Sequence, residues 1–80
     1  IDTKSWRKAP IFDWLQKNGN VDPIEMHRTF NCGIGMVICM PEDMSKLAIN
    51  VLKAAGEEAY LIGNIAHAKD SEEKVVLKGL

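Results

Sequence analysis

Apolar positions recur along this chain with two different spacings, and each change of spacing marks an element boundary. Residues 1–9 are polar and basic apart from Trp6 and predict an extended lead-in. Pro10 suits the first turn of a helix, where its missing N–H costs nothing; Ile11, Trp14 and Leu15 then share one face, with Phe12 flanking it. This helix is predicted to run to Asn18, with Gly19 as a left-handed cap. Asp22 as N-cap, Pro23 at the first helical position and Glu25 form a capping box, with Val21 and Met26 at the staple positions. They predict a short helix over Pro23–Thr29 that turns Met26 and Phe30 to the core and delivers Arg28 and Thr29 to a glycine bend.

Beyond the bend the spacing shortens. The apolar run within residues 34–40 predicts a buried strand, stopped by Pro41. Glu42 and Asp43 then open the longest helix at the end where negative charge opposes the macrodipole. Met44, Leu47, Ala48, Val51, Leu52 and Ala55 follow three-four spacing until Gly56 ends the run. Residues 59–66 predict a second strand, in which Gly63 marks a bulge or a close backbone approach. After a charged turn at 69–73, residues 74–78 predict a third strand that closes an antiparallel hairpin. The expected fold class is α+β, a mixed or antiparallel sheet covered by helices, with no internal repeat.

Composition narrows the function classes. Eighty residues make one small domain or part of a larger one, and a chain this short buries only about 60% of the surface it exposes unfolded. With 46% hydrophobic and 26% charged residues it is an ordinary globular sequence, with no membrane-length run and no signal segment, so a cytoplasmic location is expected and no membrane partner. A net charge of −1 with the signs interspersed offers no basic stripe, which argues against nucleic acid as a partner. Cys32 and Cys39 lie seven apart, which fits neither a zinc pair nor a disulfide framework, so reduced thiols are expected. Ile1 is not an initiator methionine, and the chain reads as a piece of a longer polypeptide.

The bend following the short helix carries the chemistry. Arg28, Thr29 and Asn31 stand beside Gly33 and Gly35, immediately before a rigid apolar strand. Two glycines expose backbone N–H groups, and with the Thr29 hydroxyl, the Asn31 amide and the Arg28 fork they could hold a phosphate or an amide-bearing substrate. The order helix, glycines, strand is the reverse of a dinucleotide fingerprint, and a tight turn alone also explains two glycines. His27 and His67 lie forty residues apart without a carboxylate pattern, so no metal site is expected. Cys32 has no base beside it, Phe12 and Trp14 read as core, and residues 70–73 read as a solvated turn rather than a calcium loop. No catalytic residue is assigned.

Three stretches carry a family resemblance. Phe12-Asp13-Trp14-Leu15-Gln16, then Glu25-Met26-His27-Arg28-Thr29-Phe30-Asn31-Cys32-Gly33-Ile34-Gly35-Met36, then residues 70–77 resemble the C-terminal end of phosphoribosylformylglycinamidine cyclo-ligase, also called aminoimidazole ribonucleotide synthetase. The family pattern M-x-R-T-F-N-x-G-x-G-M follows a W-L-Q helix, and both occur here in order and at the expected spacing. The similarity covers nearly the whole chain. Cys32 stands at a position the family varies.

The resemblance implies a ligase of purine biosynthesis. Such an enzyme converts formylglycinamidine ribonucleotide and ATP, with Mg2+, into aminoimidazole ribonucleotide, ADP and phosphate: ATP phosphorylates the formyl oxygen, the amidine nitrogen closes the ring, and phosphate leaves. It implies a homodimeric full-length protein whose N-terminal domain, absent here, holds most of the ATP and Mg2+, so these 80 residues alone are expected to be inactive. Arg28, Thr29, Asn31, Gly33 and Gly35 are then expected to line the substrate cleft. Two alternatives stand beside this: another ATP-dependent member of the superfamily, and a noncatalytic α+β module that senses a ligand or dimerises through a strand edge.

Overall fold

A computed structural model of the chain describes residues 1–68 and 73–80. Among the described residues three α-helices form: α1 (Pro10–Asn18), α2 (Pro23–Thr29) and α3 (Ser45–Ala54), the last preceded by a 3₁₀ turn at Glu42–Met44. All three lie where the spacing of apolar residues and the prolines predict them.

The two longer helices stop in the same way. The Val21 N–H donates to the Gln16 carbonyl and the Asn20 N–H to that of Lys17, and at α3 Glu57 and Gly56 repeat the pattern on Leu52 and Lys53. Each is a paired closure of the last turn around one left-handed residue. At α3 that residue is Gly56 (φ 89°), but at α1 it is Asn20 (φ 50°), not Gly19, whose φ is −85°. Glycine at 19 answers a different need: a Cβ there would lie 2.9 Å from the Leu15 carbonyl oxygen. The capping box of α2 is half made. Asp22 accepts from the Ile24 N–H at 2.9 Å, while Glu25 pairs forward with Arg28.

Among the described residues full burial is confined to the first part of the chain. Met26 and Cys32 are fully enclosed and Trp6 is 8% exposed, with Phe12, Leu15, Val21, Ile34 and Ile62 packed around them. The inward face of α1 is therefore Phe12 and Leu15; Ile11 and Trp14, expected beside Leu15, stay more than half exposed because Trp6 packs on the other flank. Phe30 is at the margin, edge-on to Phe12 with ring centres 6.4 Å apart. Enclosing Met26 contributes about 1.5–3 kcal/mol.

The three stretches predicted as strands form no ladder among the described residues. Residues 34–40 join no strand ladder, with Met36 80% exposed. The expected hairpin between 59–66 and 74–78 is replaced by pairing to the start of the chain: Asp2 and Lys78 form an isolated parallel bridge, and the Asp2 N–H donates to the Ile62 carbonyl at 2.7 Å. The lead-in thus competes successfully for both segments. Gly63 is a close approach, since a Cβ there would lie 2.9 Å from the Cα of Ile1. Of the predicted charged turn, residues 69–72 lie outside the described residues. A strand apolar on both faces needs neighbours on both edges and a layer on each side, and the described residues offer residues 34–40 neither. The chain forms a slab with extents of 39 × 37 × 17 Å.

Candidate functional site

The bend is built outward from a buried contact. The indole N–H of Trp6 donates to the Cys32 carbonyl at 3.0 Å, a bond out of water that joins residues 26 apart. Cys32 (φ 51°) and Gly33 (φ 102°) are both left-handed, so the chain reverses sharply between α2 and the unpaired apolar run. The buried Cys32 thiol points back at the Met26 carbonyl, 3.7 Å away. Burial pushes its pKa up; Lys8 opposes the shift and Asp13 adds to it. A protonated, enclosed thiol is no nucleophile, so Cys32 acts here as packing.

Each predicted site residue has a definite place. Arg28 is exposed and already paired: its Nη1 meets Oε1 of Glu25 one turn back. Thr29 is exposed at the end of α2. The Asn31 side-chain oxygen accepts from the Gly33 N–H at 2.9 Å and its carbonyl from the Ile34 N–H at 3.0 Å. These two bonds turn both amides inward, so the expected concave array of glycine amides does not form. The Gly35 N–H has no acceptor among the described residues, and a Cβ on Gly35 would meet open space. The bend therefore offers the Thr29 hydroxyl, the Asn31 amide nitrogen and the Gly35 N–H outward: donors for a polar ligand, with no general base among them.

A cavity lies elsewhere. About 440 Å³ in volume, it is lined among others by Lys4, Trp6, Lys8 and His27, and by none of the five predicted residues. The His27 Nδ1–H donates to the Pro23 carbonyl (2.9 Å), and its Nε2 is buried without a partner among the described residues. The pattern of apolar spacing passes over Trp6, which lies in a polar lead-in; its signal was the isolated tryptophan itself, a large ring whose N–H needs an acceptor once buried. Among the described residues no group of three or more His, Cys, Asp or Glu side chains converges on a metal-sized space. Nor is any helix among them long and apolar enough to cross a membrane.

Residues 1–76 match the family model described as AIR synthase related protein, C-terminal domain. This chain belongs to the AIR synthase related family. The match spans the W-L-Q helix, the core around Trp6 and the whole bend, so the AIR synthase related domain includes every residue placed at the candidate site. No solved structure matches the chain.

Proposed function

We propose that this chain forms one wall of the substrate cleft of an ATP-dependent cyclo-ligase that converts formylglycinamidine ribonucleotide to aminoimidazole ribonucleotide, the enzyme acting in the cytoplasm as a homodimer. The observation that carries this reading is the bend itself: within the run Met26-His27-Arg28-Thr29-Phe30-Asn31-Cys32-Gly33-Ile34-Gly35-Met36, Met26 and Cys32 are buried while Arg28, Thr29 and Asn31 are exposed. Donors on a turn anchored to a buried core suit the positioning of a substrate, because orientation is set before binding.

In this reading Thr29, Asn31 and Gly35 hydrogen-bond the ribonucleotide phosphate or the amidine. Arg28 exchanges Glu25 for the substrate's negative charge, and Gly33 supplies the turn. Together they contribute about 2–4 kcal/mol to binding and orientation. ATP and Mg2+ are held by other parts of the protein, where bound magnesium offsets phosphate charge. In the complete protein residues 34–40, 59–66 and 74–78 pair into a sheet, a reading supported by the absence of a ladder along 34–40 and the exposure of Met36, Val37 and Ile38. The test is replacement of Thr29 or Asn31 by alanine in the complete enzyme, with turnover measured at saturating ATP. A several-fold rise in KM for formylglycinamidine ribonucleotide is expected; unchanged KM and kcat would remove both residues from the cleft.

A further inference from the structure

We propose that Trp6 is the positioning residue of the bend, holding residues 31–33 in the conformation that turns Asn31 and Gly35 outward; this rests on the bend being the binding wall. A residue with a Cβ occupies the left-handed region at a disadvantage of roughly tenfold, and Cys32 does so directly before a left-handed Gly33. The local bonds within the turn, Gly33 N–H to the Asn31 side chain and Ile34 N–H to the Asn31 carbonyl, are short-range, and Asn31 and Gly33 are exposed, so water competes for them. The bond from the Trp6 indole to the Cys32 carbonyl is different: it is buried, 3.0 Å long, and comes from outside the turn. The ring also backs Gly33, whose Cβ position lies 3.8 Å from Nε1.

Trp6 is itself held. The Asp2 carbonyl accepts from the N–H and the hydroxyl of Ser5, and Asp2 and Thr3 donate to the carbonyls of Ile62 and Lys78. Contact therefore runs from the last residues of the chain, through the lead-in, to the bend.

Amide exchange in the intact chain tests this without any substrate, so its outcome is independent of the turnover test on Asn31. Trp6→Phe keeps most of the packing and removes the N–H. Exchange of the Gly33 and Ile34 amides should quicken about 3- to 10-fold while the α3 amides are unmoved. Adding Cys32→Gly, which tolerates the left-handed turn, should restore slow exchange; adding Cys32→Ala, which removes the thiol but not the backbone cost, should not. Unchanged exchange in Trp6→Phe, or equal recovery by glycine and alanine, overturns the proposal. Should Trp6→Phe not fold, the parent chain still decides. The Trp6 indole proton should exchange at least about tenfold more slowly than that of exposed Trp14, and equal rates would defeat the idea.

Discussion

Residues 6–34 and residues 36–55 contain similar helices with opposite fates for their apolar side chains. α1 and α3 have nearly the same length, and each ends in the same paired closure around one left-handed residue. Neither helix has a fully buried residue, yet Phe12 and Leu15 of α1 pack on the core around Met26, whereas no described residue of α3 does and Leu47 and Val51 stay more than half exposed. Local chemistry is sufficient for the helices. What differs is an opposing surface, which Trp6 and α2 provide for α1 and nothing among the described residues provides for α3. The whole chain carries the consequence: its accessible surface is 6920 Å², where a folded protein of 8.9 kDa has about 4,800 Å². Its radius of gyration is 14.4 Å, against about 12 Å for a compact chain of this length.

Mutations placed in the two regions should separate them. Met26→Ala should lower unfolding stability by about 2–5 kcal/mol, while Leu47→Ala on α3 should change it by less than about 0.5 kcal/mol, both read from denaturant midpoints of the chain. Equal losses would mean that α3 has a covering layer after all. The two free cysteines report the same contrast. Exposed Cys39 should be alkylated about tenfold or more faster than Cys32 at neutral pH, timed by mass spectrometry. Because burial raises the folded pKa of Cys32 above its unfolded value, the stability linked to that thiol is complete at neutral pH. It is lost as pH rises into and beyond the ordinary thiol range, and an alkaline titration of the Cys32→Ser variant should lack that loss.

Smaller effects sharpen the picture within the packed region. Asp22→Ala removes the side-chain acceptor of the Ile24 N–H and should cost about 1 kcal/mol, seen as a lower thermal midpoint. Glu25→Gln should cost only about 0.2–0.5 kcal/mol, because the pair with Arg28 is largely solvated. The same change frees Arg28; in the complete enzyme it should hold or tighten substrate binding, and a weakened KM would place Glu25 itself among the ligands.

Much of this architecture was legible from residue order. The prolines at 10 and 23, the Asp22 cap and Gly56 located three helices closely, since these signals act within one turn of backbone. The motif from Met26 to Met36 marked the bend. The inward amides were not legible: whether the Gly33 N–H faces a ligand or the Asn31 side chain depends on the left-handed angle at Cys32, and no spacing rule reports that angle. Trp6 escaped for a related reason, as its partner lies 26 residues away and shares no period with it.

Helix positions, caps and the run of polar and apolar residues at the bend follow from order alone, because propensity, capping and side-chain periodicity operate over three to five residues. Which face of α1 turns inward, why Asn20 rather than Gly19 is left-handed, and how the ends of the chain meet were settled in three dimensions. Those outcomes depend on which distant surfaces meet to exclude water and accept a buried N–H, and the Trp6 indole over Cys32 is where both happen at once.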